Sequence, residues 1–119
     1  MSKLEKFMRT GHPDLVMAHL DRIKKPEVVA LALNHHEELV RMTVFPTFER
    51  IGKPAIPIIV KALEHEDPDV RGDAVETLGR IGNLEVLPAL EKALKTEQTE
   101  FVRRYILAAM YKLKKKSSG

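Results

Sequence analysis

The chain of 119 residues contains no cysteine. That absence excludes a disulfide framework, a thiol nucleophile and thiolate metal ligands, and it is compatible with a reducing compartment. Serine is almost missing as well. Ser2, Ser117 and Ser118 are the only three, all at the ends, so a serine nucleophile has no interior position from which to work. Aromatic residues make up only 5% of the chain, which leaves core packing to Leu, Ile, Val, Ala and Met. Long hydrophobic runs are lacking too: PAIPIIV at 54–60 falls far short of the ~20 residues that span a bilayer. The opening MSKLEKFMRT has no apolar signal core. The expectation is a soluble cytoplasmic protein with no membrane partner.

What is present is ordinary globular material. The apolar fraction is 44%, and a chain of this length fits one domain that buries roughly two-thirds of its unfolded surface. The net charge of +3 is spread unevenly. Residues 1–36 carry six cations and four acids, 37–66 four and five, 67–98 four and seven, and 99–119 six and one. The middle is therefore acidic and the C-terminal end strongly basic, an asymmetry that bears on partners.

The stretch VRGDAVETLGRIG at 70–82 has a skeleton that recurs on either side. The dipeptide Val70-Arg71 is matched by Val40-Arg41 and Val102-Arg103. Steps of four, four and three from each Val give Val40, Val44, Phe48 and Ile51; Val70, Ala74, Leu78 and Ile81; and Val102, Ile106, Met110 and Leu113. All are apolar, and these steps keep side chains on one helical stripe. A second helix comes next, anchored by Ile59, Ala62 and Leu63 in one unit and by Leu90, Ala93 and Leu94 in the next. Gly52 and Gly82 in the connectors suit left-handed helix ends. Pro57 and Pro88 lie early in the second helices, where a missing N–H costs little. Pro46 falls inside the expected first helix of its unit and predicts a kink there.

The N-terminal third fits the pattern poorly. Val29, Ala32 and Leu33 match a second-helix anchor, and Val16, Leu20 and Ile23 a first-helix stripe, but His12 and Pro13 replace Val and Arg. Terminal repeats are expected to be atypical because one face has no neighbour. SKLEKFMR reads as a small extra helix over that open end, with Leu4, Phe7 and Met8 inward. The expected organisation is one domain over 1–116: a degenerate repeat at 1–36, repeats at 37–66 and 67–98, and a capping helix at 99–116, with a tail at 117–119.

These residues resemble HEAT-like repeats of the phycobilisome-lyase type. The resemblance is carried by Asp67, Val70, Arg71, Ala74, Leu78, Gly79, Ile81, Gly82, Val86, Leu87, Pro88 and Leu90. It is good over one repeat, moderate over its neighbours and weak over the first 36 residues. It implies an all-α fold, a right-handed α-solenoid of about three helix pairs plus a closing C-terminal helix, with second helices lining a concave face. It also implies a structural job for Arg41, Arg71 and Arg103, bonding acidic or carbonyl groups of the adjoining repeat, for which the planar guanidinium fork is suited.

The sequence is similar in pattern to one enzyme family built of such repeats, deoxyhypusine hydroxylase. That resemblance implies iron-binding His-Glu pairs directly after Val-Arg. The matching positions are Met42-Thr43, Gly72-Asp73 and Arg104-Tyr105, and none is His-Glu. His36-Glu37 and His65-Glu66 are out of register. His35 and His65 stand at equivalent second-helix ends, where a dipole contact explains them without a metal. Gly79 and Gly82 are too closely spaced for a phosphate loop, and the carboxylates of EHEDPDVRGDAVE at 64–76 suit a loop and a helix N-terminus. No catalytic residue, cofactor or metal is expected; a lyase-like or other HEAT-repeat enzyme ranks third among the readings.

Two surfaces remain as binding candidates. Second-helix positions that avoid the core give a concave face of Leu31, Asn34, Lys61, Glu64, Lys92 and Lys95, equally readable as a plain solvated face. The last helix carries Arg103, Arg104, Lys112, Lys114, Lys115 and Lys116, a patch for phosphates or an acidic partner, or a charged end cap that also suits the helix dipole. The leading expectation is a non-catalytic scaffold with a protein partner of unknown identity. A nucleic-acid-associated protein is the alternative. Either is expected as a monomer or an end-to-end dimer.

Overall fold

A computed structural model describes residues 22, 25–34 and 41–118. The described residues contain helices and turns and no strand, which makes the fold all-α. Contacts divide the chain into two compact units, Met1–Ala55 and Ile56–Gly119. The extra N-terminal helix, the stripe of Val16, Leu20 and Ile23, and His35 and His36 lie outside the described residues.

In the first unit, α1 spans Pro26–Val29 and tightens into a 3-10 turn over Ala30–Asn34. Pro26 opens it at a position where no intrahelical N–H is needed. The helix α2 spans Val44–Ile51, with a 3-10 turn after it at Lys53–Ala55. Val29, Ala32, Val44 and Phe48 are fully buried, and Phe45 meets Phe48 edge-to-face with ring centroids 5.6 Å apart. Pro46 coincides with a break in its helix. Helical backbone is interrupted at Met42 and Thr43, and α2 begins only at Val44. Met42 stands four residues before Pro46, so its carbonyl is the one that the missing proline N–H leaves without a helical donor. The Thr43 carbonyl instead accepts from both the backbone N–H and the hydroxyl of Thr47, at 3.1 and 2.8 Å.

The second unit contains α3 (Ile56–Ala62), α4 (Pro68–Ile81), a 3-10 turn at Leu84–Val86, α5 (Leu87–Thr96) and α6 (Glu100–Ser118). Helix α4 starts cleanly: Asp67 caps it by accepting the Asp69 N–H at 2.9 Å, and Pro68 takes the first helical position. It ends at Gly82, whose φ of 77° is the left-handed conformation that glycine adopts without steric cost. Ala74, Leu78, Leu90, Val102, Ile106 and Leu113 are all at most 1% exposed, so the apolar stripes are the core of this unit.

Helix α4 packs along α6, while α3 packs on α4 and α5 on α6. The crossing of α4 and α6 depends on two glycines. A Cβ at Gly72 would lie 3.1 Å from Phe101 Cε2 and 3.2 Å from Tyr105 Cδ2, and one at Gly79 would lie 3.4 Å from the Ala109 Cβ. Spaced seven apart, the glycines share one face of α4 and let the helices approach closely. Phe101 and Tyr105 meet edge-to-face over the first of them.

Candidate functional site

The densest polar arrangement surrounds Arg71 on α4. Its Nη1 donates to the His65 carbonyl at 2.8 Å and the Glu66 carbonyl at 3.0 Å. Its Nε donates to Glu97 Oε2 at 2.9 Å, and Nη2 donates to Glu97 Oε1 at 3.0 Å and to Thr99 Oγ1 at 3.2 Å. All five guanidinium N–H donors are used. One side chain thus ties the α3–α4 connector to the α5–α6 connector. Glu97 is buried. Burial by itself would raise its pKa. The hydrogen bond from Arg71, the Thr99 backbone N–H, the Arg71 charge and the Thr99 side chain outweigh that effect and hold the carboxyl below its ordinary value of 4.5.

Arg103 on α6 repeats part of this arrangement. Its Nη1 donates to the Leu94 carbonyl at 2.9 Å and the Glu97 carbonyl at 2.8 Å. Arg41 is half-buried and has interactions of its own. Sequence reasoning missed Glu97. Its signal is positional: it stands thirty-two residues after His65, as Arg103 stands thirty-two after Arg71.

The expected concave residues come together in part. Lys61 at the end of α3, Glu64 in the turn after it and Lys92 on α5 line one open groove with Val60, Leu63, Ala89, Ala93 and Thr96, about 230 Å³ in volume. It adjoins a polar hollow of about 510 Å³ that shares Leu63, Glu64, Ala93 and Thr96 and reaches Arg71, Glu97 and Gln98. Lys95 is exposed but lines neither. Leu31 belongs to the first unit and is half-buried. Asn34 closes the 3-10 turn of the first unit, and its side chain lies outside the described residues.

The basic residues of α6 do not share one face. Lys112 lines a third hollow, about 470 Å³, with Glu76, Gly79, Arg80, Tyr105, Ala108 and Ala109. Arg104 is exposed and pairs with Glu100 at 3.3 Å, an arrangement that contributes little in water. Lys114, Lys115 and Lys116 are exposed near the helix end, and the first two have interactions of their own.

The carboxylates at 67–76 occupy the cap and first turns of α4. Asp73 has its pKa raised, first by burial and then by the charges of Glu76 and Asp69, against the lowering influence of Arg80. His65 accepts the Asp67 N–H at Nδ1, 3.0 Å away. Among the described residues no group of three or more His, Asp or Glu is placed to hold a metal ion. No described helix is long and apolar enough to cross a membrane.

The family model for HEAT repeats matches residues 26–110. The chain belongs to the HEAT-repeat family. Helices α1 to α5 and the first half of α6 lie within the matched span. Deoxyhypusine hydroxylase of Schizosaccharomyces pombe is 32% identical over 111 residues, 92% of this HEAT-repeat chain and 32% of that protein. An uncharacterized protein in the gldA 3′ region of Geobacillus stearothermophilus is 45% identical over 64 residues, 52% of this chain and 29% of that protein. The chain spans about a third of the length of these relatives.

Proposed function

We propose that this HEAT-repeat chain is a non-catalytic protein-interaction module that takes a segment of a partner protein into the groove between α3 and α5. The observation that carries this reading is the groove itself. Val60, Leu63, Ala89 and Ala93 supply apolar surface, while Lys61, Glu64 and Lys92 bring charges of both signs. Apolar contact with flanking polar groups is what a peptide-binding surface requires. In this reading the repeats are of the phycobilisome-lyase type, in which about three helix pairs and a closing helix stack as a right-handed α-solenoid. The setting is cytoplasmic, and the module is a monomer or an end-to-end dimer.

Catalysis of the hydroxylase kind is not part of the proposal. The residues after Val-Arg are Met42-Thr43, Gly72-Asp73 and Arg104-Tyr105, which supply no paired His and Glu ligands. At Gly72 a Cβ would already lie 3.1 Å from Phe101 Cε2 and 3.2 Å from Tyr105 Cδ2, so a histidine there requires those rings to move.

The test is affinity capture from native lysate, run with and without nuclease, using the wild type and the double variant Lys61→Glu, Lys92→Glu. The reading predicts a defined protein retained in both nuclease conditions and lost with the double variant at unchanged melting temperature. Retention by the double variant would remove the groove from consideration. A second reading rests on the exposed cations of α6, chiefly Arg104, Lys112, Lys115 and Lys116. Nucleic-acid binding there predicts a signal that vanishes with nuclease, weakens steeply with salt, and is abolished by changing Arg104, Lys112 and Lys115 together to Glu.

A further inference from the structure

Placing Val102 on Val70 aligns α6 with α4 and sets Arg103 on Arg71, Arg104 on Gly72, Leu107 on Val75 and Tyr111 on Gly79. In α4 this face is covered: Val75 is fully buried, and the two glycines lie against α6. In α6 the same face is bare, with Leu107 53% and Tyr111 67% exposed. The two arginines differ in the same sense. Arg71 uses Nε and Nη2 to grip Glu97 and Thr99. Arg103 uses Nη1 alone, on the carbonyls of Leu94 and Glu97. Among the described residues its Nε and Nη2 have no partner. Helical spacing puts Arg103, Leu107 and Tyr111 on one stripe. An open guanidinium fork therefore heads an exposed apolar pair.

We propose that this face of α6 is a docking surface for an acidic protein segment, which seats a carboxylate in the Arg103 fork and lays apolar side chains over Leu107 and Tyr111. The filled fork of Arg71 shows the matching chemistry: a carboxylate, Glu97, two residues ahead of a hydroxyl, Thr99, at the start of a helix. Charge selects the occupant further. Residues 99–119 carry six cations and one acid, so a second copy laid α6 on α6 would bring like charges together. A helix packed as closely as α6 packs on α4 is also disfavoured, because Arg104 and Tyr111 occupy the glycine positions. A segment rich in Glu, held slightly further off by those long side chains, meets both conditions. This surface is separate from the α3–α5 groove and does not rest on the reading given to it.

The experiment uses the full chain and a labelled amphipathic peptide of Glu and Leu that begins Glu-Gln-Thr, with binding measured by fluorescence anisotropy. A single-stranded oligonucleotide of equal charge is run beside it. The expected result is peptide binding that Arg103→Lys weakens about tenfold, since an ammonium keeps the charge but loses the fork. Replacing the peptide's first Glu by Gln should weaken binding by a similar factor and leave Arg103→Lys with no further effect. Because Arg103 also holds two carbonyls, Leu107→Glu serves as a second variant that leaves those bonds intact, and it should weaken binding by a comparable factor. Lys61→Glu with Lys92→Glu should change nothing. The proposal is overturned if the peptide does not bind, or if its binding ignores both Arg103→Lys and Leu107→Glu. It is also overturned if the oligonucleotide binds more tightly and is indifferent to Leu107→Glu, which would make α6 a phosphate surface.

Discussion

Arg71 and Arg103 occupy one position of a repeating pattern, yet their surroundings differ. Around Arg71 the α5–α6 connector folds back and supplies Glu97 and Thr99, so every donor is satisfied. Around Arg103, among the described residues, the partners are the preceding carbonyls of Leu94 and Glu97. The helix faces beside them differ in parallel: Gly72 and Gly79 admit a neighbour, whereas Arg104 and Tyr111 occupy the same register exposed. The positions around Arg71 are thus closed by α6 and the connector before it, whereas among the described residues the equivalent positions of α6 keep unmet donors and exposed apolar surface. The difference lies less in the arginines than in what the next segment brings to them.

The strongest way to break this comparison is to open the closed site. Glu97→Ala leaves the Arg71 guanidinium half-buried without its counter-charge and is expected to cost about 3 kcal/mol, since removing one partner of a buried pair strands the other. Glu97→Gln keeps an acceptor and should cost roughly half of that. The pH dependence has a definite sign. Because the folded-state pKa of Glu97 lies below 4.5, its contribution is complete above that value and is lost as pH falls through the folded pKa. Urea unfolding should therefore show the gap between wild type and Glu97→Gln narrowing as the solution is acidified below 4.5. A gap that widens would contradict the ion pair.

A smaller effect separates the two helix faces. Gly72→Leu or Gly79→Leu forces bulk between α4 and α6 and should cost about 2 kcal/mol by overpacking. Arg104→Leu, in the same register on α6, should stay within about 0.5 kcal/mol because its side chain is exposed and its pair with Glu100 lies in water. Thermal melts of the three variants are sufficient. Equal losses at Gly72 and Arg104 would mean that the two faces are not distinct.

Much of this architecture was legible in the sequence. The steps of four, four and three identified the buried faces of α4 and α6, and Asp67, Pro68 and Gly82 marked the start and end of α4, because caps and stripes are local properties of the chain. Pro46 was informative for a local reason too: its missing N–H falls opposite the Met42 carbonyl, and the helical backbone is interrupted at Met42 and Thr43. The carboxylate partner of Arg71 was not legible. Glu97 lies twenty-six residues away and acts through a connector whose path depends on how α5 and α6 pack. The two candidate surfaces were read residue by residue and were only partly assembled: Lys61, Glu64 and Lys92 meet in one groove, while the cations of α6 divide around the helix. Which side a charge takes depends on the neighbour that covers the rest of the helix.

The difference between the two forks is open to direct measurement in the ¹⁵N–¹H spectrum of the arginine Nε–H groups, assigned with Arg71→Lys and Arg103→Lys. The Arg71 Nε–H, held by Glu97, should give a sharp signal protected from exchange with water at neutral pH, and it should weaken on Glu97→Gln. The Arg103 Nε–H should exchange rapidly and gain protection only when an acidic peptide is added. If both are protected in the isolated chain, the Arg103 fork is already filled and the docking surface does not exist. If neither is, Glu97 does not close the site at Arg71.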